Sequence, residues 1–134
     1  SISFAAISAA FGVKCISATS GVGAVTRQPA SIYRAIPESR TMLEAAISET
    51  VEVGRAKDVA IPNDIIDNIM KRIDNLPEGM LASMQKDIME GRPSELDAQT
   101  GAVVRMGRAL GVATPSHGYI YSSLLPMEMQ ARGK

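Results

Sequence analysis

Residues 80–111 read MLASMQKDIMEGRPSELDAQTGAVVRMGRALG, and this stretch decides the fold. Met80, Met84 and Ile88 recur every four residues up to Gly91, the spacing of one buried helical face that ends in a left-handed cap. Gly91-Arg92-Pro93 supplies the turn. Ser94 follows with a hydroxyl placed to cap backbone amides three residues on, the signature of a helix start. Leu96, Thr100, Val103, Gly107 and Leu110 then share a face, with Gly111 just past the end. Small residues at Thr100, Gly101 and Gly107 leave room for another helix to approach closely.

The same period holds on both sides. After Pro37, residues 38–57 place Leu43, Ile47, Val51 and Gly54 at i, i+4, i+8 and i+11, which predicts a helix with one buried face. Pro62 opens the next, where Ile65, Ile66, Ile69, Met70 and Ile73 repeat at threes and fours until Leu76-Pro77 closes it. Downstream, Pro115 starts a last helix through Tyr119, Tyr121, Leu124 and Leu125. Residues 2–13 read as a small-residue helix of the fold, since they are too short for a membrane span and carry no basic region of a signal peptide. Nothing alternates with period two for long enough to make a strand. The expectation is an all-α fold, a single helical domain of six or seven helices over residues 1–134.

A chain of 134 residues, 46% apolar and 21% charged, can bury a core of ordinary size. Its lone cysteine, Cys15, allows no intrachain disulfide and no structural zinc site, so no metal is expected and a reducing, cytoplasmic setting fits. Net charge is zero but uneven: residues 35–97 hold seven basic and thirteen acidic side chains, whereas residues 1–34 and 98–134 are each basic by three. With 4% aromatics, no Trp and no dense basic cluster, nucleic-acid binding is not expected. Gly21-Val22-Gly23 lacks the third glycine of a dinucleotide fingerprint, where Thr26 stands, and reads instead as a helix break permitting close packing. His117 is the sole histidine, which excludes a multi-histidine metal site and places it in the first turn of the last helix. The eight methionines, Met80 and Met84 among them, read as flexible core filling. In residues 83–97, Ser83 and Asp87 lie one turn apart, and the Gly91 turn folds Glu95 back toward their helix, so a hydroxyl and a carboxylate can converge on one pocket. Without such a pocket, Glu95 is a solvated first-turn carboxylate.

The runs Ala82 to Ile88, Gly91 to Asp97, Gly101 to Val104 and Gly111 to Pro115, with Ser20 to Arg27 and Leu124-Leu125-Pro126, resemble the C-terminal domain of ketopantoate reductases, the 2-dehydropantoate 2-reductases. The resemblance implies a helical domain like those of 6-phosphogluconate dehydrogenase-like reductases, joined in the whole enzyme to an N-terminal Rossmann domain that is absent from this chain and carries NADP. It implies reduction of a 2-oxo acid, 2-dehydropantoate, to pantoate for coenzyme A synthesis, by a homodimer. Without the Rossmann domain the helices that pack against it would expose apolar surface, which makes Leu124, Leu125 and nearby methionines the candidates for the dimer contact. This chain alone would then be inactive. Carried over residue by residue, Glu95 matches the glutamate that organises the substrate oxygen and the catalytic lysine, and Ser83 the serine that binds the substrate carboxylate. The lysine's place falls on Gly12 by ungapped count, and Lys14 is two residues off, about 200° around a helix. Ser20 and Met80 stand where pocket asparagines are common. The altered pocket leaves open a reductase of another 2-oxo acid or a non-catalytic relative, and a free-standing helical interaction module is the alternative of a different class.

Overall fold

The computed structural model describes residues 17–134, which fold into seven α-helices and a π-helical turn. The helix expected over residues 2–13, together with Lys14 and Cys15, lies outside the described residues.

The first helix, α1 (Ser17–Thr26), sits at the centre because its small side chains let three others close on it. A Cβ at Gly23 would lie 2.2 Å from Oε1 of Gln85, and one at Gly21 would lie 3.0 Å from Cγ2 of Ile120. The glycine pair thus serves close packing, as expected, but within a continuous helix rather than at a break. A short α2 (Ala30–Tyr33) leads to the long α3 (Pro37–Ala56), whose predicted stripe of Leu43, Ile47, Val51 and Gly54 is buried throughout.

Helix α4 (Ile65–Asp74) buries Ile65, Ile69, Met70 and Ile73. It begins three residues after Pro62, because residues 62–65 close a turn in which the Ile65 amide donates to the Pro62 carbonyl at 3.2 Å. Arg34 Nη1 donates to the carbonyls of Ile73 (2.7 Å) and Leu76 (3.0 Å), taking up acceptors that the helix end leaves open. Arg40 grips Asp74 through two bonds of 2.8 and 3.0 Å, joining α3 to α4.

Helix α5 (Ser83–Met89) starts later than the methionine spacing predicts. Gly79, at φ +75°, turns the chain just before it and leaves Met80 outside the helix and 51% exposed. Met80 is therefore not core filling, whereas Met84 and Ile88 are. Gly91 and Gly111 both adopt φ +72°, the left-handed caps read from the sequence.

The helix expected after Ser94 opens as the π turn Asp97–Gly101 before continuing as α6 (Ala102–Leu110). Ser94 accepts from the Leu96 amide, two residues on rather than three, and Leu110 faces solvent. The last helix, α7 (Pro115–Ala131), runs straight through Pro126. Ser122 and Pro126 are both exposed, so the carbonyl that the missing amide cannot serve lies on the solvent side of the helix. Leu124 is buried in the core with Val22, Leu43, Ile47, Met84, Leu96 and Ile120, which removes it from the candidate dimer contacts. Among the described residues no helix is long and apolar enough to cross a membrane.

Candidate functional site

The ends of α1, α2, α4 and α5 and the π turn surround a cavity of about 330 Å³, a size suited to a small organic ligand. Ile69, Ile73 and Met80 make much of its wall apolar, Arg72 adds a guanidinium, and Ser20, Ser83 and Gln99 bring polar groups. Ser20 reaches the wall from the buried first turn of α1, and Ser83 from the exposed first residue of α5. Tyr33 also lines it; burial outweighs the nearby charge of Arg34 and pushes its phenol up to about 12, so it stays protonated and donates to the Thr19 carbonyl at 3.3 Å.

Glu95 is exposed and stands beside this cavity rather than in its wall. Its Oε2 accepts from Nε2 of Gln99 at 3.0 Å, and Gln99 lines the cavity together with Ser83. Ser83 therefore lines this cavity, whereas Glu95 lines a separate pocket with Asp97, Tyr121 and Glu128 and is linked to the first only through the Gln99 amide. Gln99 itself escaped the sequence reading, since its place in the π turn depends on a backbone widening that helical periodicity does not announce.

Asp87 does not join the site. Arg92 folds over the Gly91 turn and donates to Asp87 Oδ1 from Nε (3.2 Å) and Nη2 (3.0 Å), while Nη1 pairs with Glu90. Lys14 lies outside the described residues, so none of them is placed as the matching lysine.

A second polar cluster is buried under α7. His117 is 0% exposed; Nδ1 lies 2.9 Å from Glu49 Oε1, and Nε2 lies 2.9 Å from Ser17 Oγ and 3.5 Å from Thr50 Oγ1. A carboxylate only accepts, so Nδ1 donates to Glu49. Serine, imidazole and carboxylate stand in the order of a hydrolytic triad, yet Ser17 is sealed from solvent, so no substrate reaches it. Glu49 also takes the amides of Ser116 (2.8 Å) and His117 (3.0 Å), capping a helix whose first turn has no acid of its own. Burial pushes the Glu49 carboxyl up, but the His117 ring and these amides outweigh it and hold the group below the usual carboxylate range.

Glu128 plays a similar part at the other end of α7. It accepts from the Ser94 amide and hydroxyl and from Arg132 Nε at 2.8–3.0 Å, fixing the loop that carries Glu95. Sequence patterning missed both carboxylates because their partners lie 68 and 34 residues away.

The described residues contain no strand, and the space above Gly23 that a phosphate would need is filled by the Gln85 side chain, so the Gly21–Gly23 pair is not a phosphate cradle. They also contain no group of three or more His, Cys, Asp or Glu able to hold a metal ion.

Comparison with known proteins bears on this geometry. Residues 8–128 match the family described as "Ketopantoate reductase PanE/ApbA C terminal". The chain is 32% identical over 103 residues to a 2-dehydropantoate 2-reductase of Caulobacter vibrioides, covering 77% of this chain and 35% of that protein. It is 35% identical over 69 residues to a 2-dehydropantoate 2-reductase of Mycobacterium tuberculosis, covering 52% and 23%. A dimeric ketopantoate reductase of Staphylococcus aureus shares the fold with a TM-score of 0.83 at 24% identity, over 91% of this chain and 43% of that one. D-mandelate dehydrogenase with NADH and anilino(oxo)acetate shares it at 0.77 and 18%, over 92% and 40%. The chain spans about a third of the length of the curated relatives it matches.

Proposed function

The chain belongs to the ketopantoate reductase C-terminal family, and on that footing we propose that it is the substrate-binding helical domain of an NADPH-dependent 2-dehydropantoate 2-reductase. The cofactor belongs, in this reading, to an N-terminal Rossmann domain. The observation that carries the reading is the cavity where Ser20, Ser83 and Gln99 meet, with Glu95 tied to Gln99 at its edge.

Its parts divide the work by their chemistry. The Ser83 hydroxyl donates to the substrate carboxylate, and Arg72 adds positive charge on the same wall. Ile69, Ile73 and Met80 take the branched apolar middle of the 2-oxo acid and exclude water. Glu95, a carboxylate at the rim, holds an ammonium general acid in place beside the ketone oxygen; Lys14 is the candidate for that ammonium. A homodimer is part of the proposal, with exposed Tyr119, Met127 and Met129 on α7 as contacts in place of Leu124.

The test is reduction of 2-dehydropantoate by NADPH, followed at 340 nm with the full-length protein. Substrate-dependent oxidation, lowered by Glu95→Gln, supports the assignment. A folded full-length protein that leaves 2-dehydropantoate unreduced overturns it.

A further inference from the structure

Gln99 ties Glu95 to the domain at two points. Its backbone amide donates to the Glu95 carbonyl at 2.9 Å, and its side-chain Nε2 donates to Glu95 Oε2 at 3.0 Å. A carboxylate oxygen only accepts, so the second bond fixes which end of the side-chain amide faces Glu95. The two partners differ in freedom: Gln99 is 3% exposed, in a π turn that packs against α1 and α7, whereas Glu95 is exposed. An exposed glutamate has several rotamers open to it, and a buried, oriented donor selects among them.

The same amide is costly to bury. Its Oε1 has no hydrogen-bond partner, and the adjacent Thr100 hydroxyl has none either. A methionine or leucine would fill this space without stranding a carbonyl. What the amide supplies and a hydrocarbon side chain cannot is the donor to Glu95. Other donors nearby are engaged: Arg105 Nη1 and the Tyr121 hydroxyl each bond Asp97 Oδ1 at 2.9 Å, and Arg132 Nε bonds Glu128 Oε2 at 2.9 Å. Among the described residues, the Gln99 amide is thus the one group that holds the Glu95 side chain.

Resting on the reductase reading above, we infer that Gln99 is a positioning residue for the reaction: its Nε2 holds the Glu95 carboxylate in the orientation that sets the general-acid ammonium beside the ketone oxygen. One carboxylate oxygen is committed to the amide, and the other is left for the ammonium. Acting through Glu95, Gln99 governs turnover and leaves substrate binding to Ser83 and the apolar wall.

The test is a double-mutant cycle on the full-length enzyme, read as kcat and KM for reduction of 2-dehydropantoate by NADPH. Gln99→Met keeps the side-chain length and removes the donor, and Gln99→Leu takes its place should that variant fold poorly. Gln99→Met is expected to lower kcat about tenfold with KM within about twofold of native, the pattern of a catalytic group held in the wrong place. In a Glu95→Ala background the same substitution is expected to change kcat by less than about twofold, because the carboxylate it would misplace is gone. A role in packing alone predicts equal losses in the two backgrounds. Equal losses, a rise in KM with kcat held, or a native kcat in Gln99→Met each overturn the inference and leave the reductase reading standing. A native protein that leaves 2-dehydropantoate unreduced fails that reading and takes this inference with it.

Discussion

Two buried polar clusters in this domain are built from the same kinds of groups and differ in whether their hydrogen bonds close. Under α7, each oxygen of Glu49 is occupied, both nitrogens of the His117 ring have partners, and Thr50 bonds back to the Ala46 carbonyl at 3.2 Å. At the π turn, Gln99 Oε1 and Thr100 Oγ1 are buried with nothing to bond. A low-dielectric interior strengthens a closed network and penalises an open one. The closed cluster is therefore where the fold gains stability, and the open one is where stability has been given up at the edge of a cavity. The triad-like order of Ser17, His117 and Glu49 misleads by sequence of atoms alone; closure and burial mark it as structural.

The largest expected effect comes from opening the closed cluster. Glu49→Ala would leave the His117 ring and two amides of α7 without an acceptor, and should cost about 3–5 kcal/mol in urea or thermal unfolding. A loss under 1 kcal/mol would break the contrast. Acid reads the same group. The Glu49 carboxyl titrates lower in the folded chain than in the unfolded one, so the unfolded chain takes up the proton first as pH falls. Its contribution is thus complete above about pH 4.5, the ordinary glutamate range, and is lost as pH drops below that toward the folded value. Glu49→Gln should flatten that acid limb of a stability–pH curve, although the buried Glu128, also held low against its burial by Ser94 and Arg132, leaves part of the slope in place.

Side chains at the open cluster should move activity while leaving stability nearly alone. Glu95→Gln is expected to lower kcat by about 100-fold, within the range of a misplaced general acid, with an unfolding midpoint close to the native one. Ser83→Ala should instead raise KM by about tenfold, the loss of one hydrogen bond to a charged group, with kcat held. If Glu95 is a solvated first-turn carboxylate, its replacement leaves turnover intact and shifts stability by about 0.3–1 kcal/mol.

The sequence disclosed the helices better than it disclosed these two clusters, and the reason is range. Leu43, Ile47, Val51 and Gly54 declare their burial through spacing within one helix, and Gly91 and Gly111 declare their caps through the conformation that glycine alone adopts cheaply. Ser83 and Glu95 were singled out through family resemblance alone, and the cavity that Ser83 lines required α4 and the π turn to arrive from elsewhere. Glu49 sits beside a buried stripe with nothing local to distinguish it from its exposed neighbour Glu52, because its partners enter 68 residues later. Met80 fitted the methionine period and still fell outside the helix, because the positive φ at Gly79 resets where α5 begins.

The smallest expected effect separates the clusters most directly, because its sign differs between them. Replacing Gln99 by Met removes a buried carbonyl that has no donor, which relieves about 1–3 kcal/mol of desolvation cost. It also forfeits the bond to Glu95, worth about 0.5–1.5 kcal/mol at an exposed carboxylate. The relief is the larger of the two, so Gln99→Met should stabilise the ligand-free domain by about 0.5–1 kcal/mol, a rise of about 2–4 °C in Tm. Substitution at His117, where every bond is made, can only lower it. A scan of unliganded protein in which Gln99→Met melts below the native chain would show that the amide is a structural support, and the distinction between a closed and an open cluster would then fail at the residue that defines it.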